Sequence, residues 1–187
     1  MRIAASKCRI LLVGLMGAGK TAVGEAIATR TGWPHLDNDV LVNEAAGATK
    51  SSLLQSQGES ALRVYERLAL EEVLEAEAPL VASIAGGVLL AEDAVEALEA
   101  GRRKDAFVVW LRVPHAVIAE RITAHPQDRP WISKSDPLGS VVALAATREP
   151  VFQSVADLVV DAYGVEAETV AAEILAAAAT ASAQVAN

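Results

Sequence analysis

Two hydrophobic rhythms alternate along the chain. Nearly unbroken apolar runs occur at Ile10, Leu11, Leu12 and Val13, at residues 80–84, at residues 107–113 and at residues 158–160. A run without polar alternation marks a strand buried on both faces, as in the middle of a parallel sheet. A briefer extended stretch, Trp33-Pro34-His35-Leu36, ends at Asp37-Asn38-Asp39. Between the runs, apolar positions recur every three or four residues, which is the spacing of one helix face. Ala22, Val23, Ala26 and Ile27 draw such a stripe over residues 21–31, and Gly32 stops it. Further helices are predicted over 40–46, closing at Gly47, and over 51–57, with Leu53 and Leu54 facing in. A longer one covers 59–77, with Ala61, Leu62, Tyr65, Leu68, Ala69 and Val73 on its inner face and Pro79 beyond its end. The pattern continues with helices over 91–100, 114–124 with proline in the first turn, 141–152, and an Ala-rich helix from 166 to about 181 that is expected to fray at its end. Strands alternating with helices imply an α/β fold, a five-stranded parallel sheet covered on both faces. Residues 125–138, with three prolines and mixed charges, break the rhythm and are read as a mobile loop over an active site.

Composition narrows the class of molecule. At 187 residues the chain suits one domain spanning 1–187, large enough to bury a core. A net charge of −8 argues against general binding to nucleic acid or to anionic membranes. Cys8 has no second cysteine to pair with and is read as a small buried residue beside the first strand, which fits a reducing cytoplasm. No stretch approaches a membrane span, so a soluble, cytoplasmic monomer is expected. His35, His115 and His125 are scattered without metal-ligand spacing, and Trp33, Trp110 and Trp131 are read as packing residues, Trp131 also as a shield for a closed site.

The first strand runs into chemistry. Residues 14–21 read GLMGAGKT, a Gly-x-x-x-x-Gly-Lys-Thr loop between a strand and a helix. Gly14, Gly17 and Gly19 can take backbone angles closed to other residues, so that main-chain N–H groups, those of Gly17, Ala18 and Gly19 among them, converge on phosphate oxygens. The helix that follows contributes its unpaired N-terminal donors and the positive end of its dipole. Lys20 adds a mobile charge near the transferred phosphate, and the Thr21 hydroxyl is the expected Mg²⁺ ligand. Binding of a nucleoside triphosphate is therefore expected, although the loop alone is shared by many classes.

Downstream features address the second substrate. Asp37 and Asp39 stand two apart at the carboxyl end of a strand, where open α/β sheets bind ligands. One carboxylate suits the Mg²⁺ shell and the other an acceptor hydroxyl; capping of the next helix by Asp39 or Asn38 is the plainer role. Arg63 and Glu66, three apart on a helix, share a face and can touch, which is also the spacing of an ordinary surface ion pair.

The run Gly58-Glu59-x-x-Leu62-Arg63-x-x-Glu66 resembles the Gly-Glu-x-x-Phe-Arg-x-x-Glu signature of shikimate kinases. With GLMGAGKT, Leu36-Asp37-Asn38-Asp39, the Gly86-Gly87 turn, Asp128-Arg129-Pro130 in the mobile loop and Arg148-Glu149-Pro150-x-Phe152, the resemblance runs in order over residues 8 to about 161. It implies a P-loop NTPase three-layer sandwich of the nucleoside-monophosphate-kinase type and transfer of the γ-phosphoryl of MgATP to a ring hydroxyl of shikimate. Lys20 and Thr21 would handle phosphate and Mg²⁺, Asp37 the metal through its water shell, and Asp39 the acceptor hydroxyl. Arg63, Arg148 and the Gly86-Gly87 backbone would hold the acceptor, with Glu66 orienting Arg63. Arg121 matches the arginine near adenine, and Arg129 the lid arginine that neutralises charge on the transferred group. The chain departs from the pattern at Ala85, Leu62 and Phe152, at Trp131-Ile132 in the lid, and in residues 48–52, which lack the usual Ser-Ile pair. Kinases for a cyclitol or a gluconate-like acid, and a catalytically silent ligand sensor on the same scaffold, are the alternatives.

Overall fold

In the computed structural model, which describes residues 9–125 and 131–185, the apolar runs pair into one sheet. Its strands are β1 (Arg9–Val13), β2 (His35–Asp37), β3 (Leu80–Ser83), β4 (Ala106–Arg112) and β5 (Leu158–Asp161). All pairings are parallel, in the order β2-β3-β1-β4-β5. β1 lies in the centre and is buried along its whole length, as is β3, and apart from Arg9 and Ser83 at their ends both are apolar. Register fixes the functional edge: Leu12 aligns with Ser83 and with Val109, and Asp37 with Ser83, so that the carboxyl ends of β1, β2 and β3 open on one side. The order reverses direction at β1, and ligands of such sheets bind outside the strand ends at that reversal.

The helices are α1 (Lys20–Thr31), α2 (Asn38–Ala46), α3 (Lys50–Glu75), α4 (Glu92–Arg102), α5 (His115–Ala124), α6 (Pro137–Val155) and α7 (Ala167–Val185). α1 and α7 pack on each other over one face of the sheet, while α4 and α6 meet beside β4 on the other. α2 packs on α3 beyond β2 and encloses a second small core of Val42, Leu53, Leu62 and Ala69. Glycines 32 and 47 end α1 and α2 in left-handed geometry, where the periodicity stops. Among the described residues, no helix is long and apolar enough to cross a membrane.

The element boundaries move where local chemistry overrides periodicity. The two helices expected over 51–57 and 59–77 abut without a loop in α3 and are separated only by Gly58, at φ 82° and ψ 178°. Leu68 does not join the inner face of α3; it is half-exposed. Pro114 lies just outside α5 as its N-cap, so the expected first-turn proline stands one position early. α6 starts at Pro137 instead of 141, because the Asp136 carboxylate accepts the Gly139 N–H at 2.9 Å and caps the helix there. α7 runs to Val185, past the expected end near 181, as its alanines favour. Cys8 and residues 126–130, with Arg129, lie outside the described residues.

One close approach ties α1 to β2. A Cβ on Gly24, inside α1, would overlap the His35 ring, with the ring Cδ2 only 2.7 Å away. The ring is fixed by a 2.9 Å hydrogen bond between Nε2 and Ser83 Oγ, and burial holds its pKa below the usual value. Gly24→Ala gains up to about 1 kcal/mol of helix propensity, but overpacking costs about 1–3 kcal/mol. Thermal melts should therefore show Gly24→Ala destabilising in the wild-type background and stabilising in a His35→Ala background. Destabilisation of equal size in both backgrounds would contradict the packing account.

Candidate active site

The loop after β1 is built from backbone freedom. Gly14 has φ 147° and Gly19 φ 96°, angles that a side chain strongly disfavours. At Gly14 a Cβ would also come within 2.7 Å of the Leu111 carbonyl, so the loop can sit tightly over β4 only with glycine. Gly19 is the N-cap of α1 and no side chain caps the helix, which leaves its first N–H groups directed at the loop. Lys20 is half-buried and donates to the Gly14 and Leu15 carbonyls at 3.0 and 3.1 Å. Burial pulls its pKa down, against the attraction of Asp39 and Asp37. Arg121 of α5 braces the same loop, donating to the Gly17 carbonyl at 2.9 Å.

The two aspartates diverge. Asp37, at the end of β2, caps α2 by accepting the Asp39 N–H at 2.9 Å. Its other oxygen accepts the Thr21 hydroxyl, also at 2.9 Å, so a hydroxyl and a carboxylate stand together beside the phosphate loop. The expected cap, Asp39 or Asn38, is thus corrected to Asp37. Asn38 turns inward instead, fully buried, with Nδ2 donating to the Glu66 carbonyl at 3.3 Å. Asp39 lies on the cavity side of α2 with its side chain 61% exposed.

Opposite them stands a wall of cations around one carboxylate. Glu66 is 3% exposed; its Oε2 pairs with Arg63 at 2.5 Å and its Oε1 with Lys50 at 2.8 Å. Arg63 also reaches Glu59 at 2.7 Å and lies 5.7 Å from the Trp131 ring centre. Its guanidinium rests against the Gly87 backbone, where a Cβ would overlap Nη1. Although burial works against its charge, the two glutamates more than offset this and raise its pKa. Arg148, from α6, is buried, and its Nε has no hydrogen-bond partner among the described residues. Burial lowers its pKa first and the Arg63 cation next, with Glu66 only partly compensating. A buried guanidinium set against a second one is a receptor for an anion.

These groups share one cavity of about 830 Å³. Gly17, Ala18, Gly19, Lys20 and Thr21 form its phosphate side, Asp37 and Asp39 its middle, and Arg63, Glu66, Gly86, Gly87 and Arg148 its far wall. Arg121 and His125 border it near the loop, while Leu62, Ala85 and Trp131 shape the far end. Phe152 lies underneath, fully buried, where a Cβ on Gly86 would meet its ring at 2.9 Å. No cluster of three or more potential metal-binding side chains occurs among the described residues.

Lys50 also lines the cavity, and the sequence motifs do not single it out. It opens α3, bonding both Asp39 and Glu66 at 2.8 Å. Burial opposes its charge, yet those carboxylates prevail and raise its pKa. A local signal did exist: a lysine in the first turn of a helix faces the wrong end of the dipole, and such misfits gather at functional sites.

A glycine loop feeding a helix, a lysine within it, a hydroxyl–carboxylate pair and a facing anion receptor define an ATP-dependent phosphotransferase of the P-loop kinase class. The chain belongs to the shikimate kinase family, whose model matches residues 16–179. A shikimate kinase of Symbiobacterium thermophilum is 36% identical, over 89% of this chain and 93% of the relative. One of Stenotrophomonas maltophilia is 37% identical, over 91% and 92%. Among solved structures, the Acinetobacter baumannii shikimate kinase in complex with shikimate superposes with a TM-score of 0.83 at 29% identity, covering 91% of this chain and 92% of that one.

Removing the charge of Glu66 leaves two cations facing each other. Breaking a buried pair typically costs about 3–5 kcal/mol, so urea unfolding of Glu66→Gln should show a loss near the lower figure. A loss under about 1 kcal/mol would mean that Glu66 behaves as a surface pair.

Proposed function

We propose that the chain transfers the γ-phosphoryl group of MgATP to a ring hydroxyl of shikimate, giving shikimate 3-phosphate and ADP. It would act as a cytoplasmic monomer on small molecules, without a nucleic-acid or membrane partner. The observation that carries the reading is the buried, under-neutralised Arg148 facing the same cavity as Arg63 and the phosphate loop. Two guanidiniums fit one carboxylate of the acceptor, and bidentate pairing fixes its orientation. Family membership makes the carboxylated ring the favoured acceptor over a gluconate-like acid or a cyclitol.

The residues divide the work. The backbone of Gly17, Ala18 and Gly19, with the open N-terminus of α1, holds phosphate oxygens. Arg121 borders the adenine and keeps the loop in place. Thr21 and Asp37, hydrogen-bonded beside the loop, have the oxygen donors that a hard divalent cation takes, Asp37 through water. Bound there, Mg²⁺ supplies neutralisation of phosphate charge. Arg63, Arg148 and the Gly86-Gly87 backbone hold the acceptor, and Glu66 orients Arg63.

Asp39 meets the acceptor hydroxyl. As the hydroxyl oxygen bonds to the γ-phosphorus and the bond to the leaving ADP oxygen breaks, the hydroxyl proton passes to the Asp39 carboxylate. Lys20, with Arg129, would balance charge on the transferred group, so that catalysis rests on positioning and electrostatics. Leu62, Ala85 and Phe152 set the shape of the acceptor pocket.

ADP release should require both ATP and shikimate, with gluconate and cyclitols giving far less. Absence of shikimate-dependent release from folded protein at saturating substrates would overturn the reading. Arg63→Ala should raise the shikimate KM by roughly 10–100-fold, the worth of a charged hydrogen-bond pair, with a smaller effect on kcat. Lys20→Ala should instead lower kcat by about 10²–10³-fold. Steady-state kinetics distinguish the two patterns, and their exchange would contradict the division of labour.

A further inference from the structure

Asp39 stands on the exposed first turn of α2, and its location alone does not fix its carboxylate. Among the described residues, the side-chain partner of that carboxylate is Lys50, whose Nζ lies 2.8 Å from Oδ1. The same ammonium lies 2.8 Å from Oε1 of the buried Glu66. The other oxygen of Glu66 holds Arg63. A line of alternating charges therefore runs from Asp39 through Lys50 and Glu66 to Arg63, with its anchor out of water at Glu66. Lys50 is itself steadied at the start of α3: its N–H donates to Asn43 Oδ1 at 3.0 Å, and Thr49 caps the helix.

We propose that Lys50 is a positioning residue for phosphoryl transfer, fixing the Asp39 carboxylate to the buried Glu66 that also orients Arg63. This rests on the proposed function, in which Asp39 meets the acceptor hydroxyl and Arg63 the acceptor carboxylate. One buried carboxylate then sets both contacts of the acceptor, at its reacting end and at its held end. Lys50 suits the task because its ammonium can donate to both carboxylates at once from a flexible stem. It acts through Asp39, and the effect of its loss should fall on turnover: a misplacement of about 1 Å in a reacting group can cost on the order of 10²-fold in rate.

The test uses steady-state kinetics of the full chain with ATP and shikimate for wild type, Lys50→Met, Lys50→Arg, Asp39→Asn and the Asp39→Asn/Lys50→Met double variant. Lys50→Met should lower kcat by about 10–100-fold with both KM values within about 3-fold of wild type, and Lys50→Arg should recover most of the loss. In the Asp39→Asn background, Lys50→Met should have little further effect on kcat, because the two residues act as a unit. A purely structural role would change melting temperature without this kinetic coupling.

A Lys50→Met kcat within 2-fold of wild type, a loss confined to the shikimate KM, or additive losses in the double variant would each overturn the proposal while leaving the proposed function intact. Wild-type protein without shikimate-dependent turnover would overturn the function reading and this positioning together. Should Lys50→Met fail to fold, Lys50→Gln, neutral but still a donor, is measured in its place under the same criteria.

Discussion

The far wall of the cavity is organised around one buried carboxylate, Glu66, that has more cations beside it than it can neutralise. Lys50 and Arg63 take its two oxygens, and Arg148 is buried nearby with an unpartnered Nε. Such an arrangement is costly in the free protein, because each buried charge gives up hydration and Arg148 also meets a like charge. In the proposed reading, an anion between the guanidiniums would return that energy. A cavity of this kind selects ligands by sign before it selects them by shape, and it does so in a chain whose net charge is −8. The proposed carboxylated acceptor follows from that imbalance more directly than from any single hydrogen bond.

The scaffold makes the imbalance possible by drawing the charges from separate elements. β1 ends in the glycine loop, β2 in Asp37, and β3 leads into the Gly86-Gly87 turn, all at one edge of a sheet whose register is fixed by buried apolar strands. α3 brings Lys50, Arg63 and Glu66 along one helix line broken at Gly58, while α6, a separate element, delivers Arg148. Small residues do the close fitting: Gly14 under Leu111, Gly86 over Phe152 and Gly87 under Arg63 each stand where a Cβ would collide. The cations are thus held by tertiary packing, so the repulsion between Arg63 and Arg148 is not relieved by either swinging into water.

Much of this was legible in the sequence because it was written in local codes. Apolar runs marked β1, β3, β4 and β5, since burial on both faces of a central strand leaves little choice of residue, while β2 showed only as a brief extended stretch before Asp37 and helical stripes marked the helices. GLMGAGKT, the Asp37-Asn38-Asp39 turn and the spacing of Arg63 and Glu66 announced groups that the fold brings into one cavity. The less legible features depend on side-chain contacts that periodicity does not record. The first-turn position of Lys50 names no partner until α2 places Asp39 beside it, and Asp37 is the cap because its backbone is extended while its carboxylate accepts the Asp39 N–H. The start of α6 turned on a single carboxylate, Asp136, which hydrophobic periodicity does not record.

The central claim is that Arg148 is kept buried and under-neutralised at the expense of stability in order to receive an anion. Thermal melting of Arg148→Met with and without shikimate tests it most directly, because methionine fills similar space without charge. The account predicts that the free variant melts about 2–4 °C higher than wild type, for roughly 1 kcal/mol gained, and that shikimate no longer raises its Tm. A free variant that melts lower than wild type and is still stabilised by shikimate would contradict it.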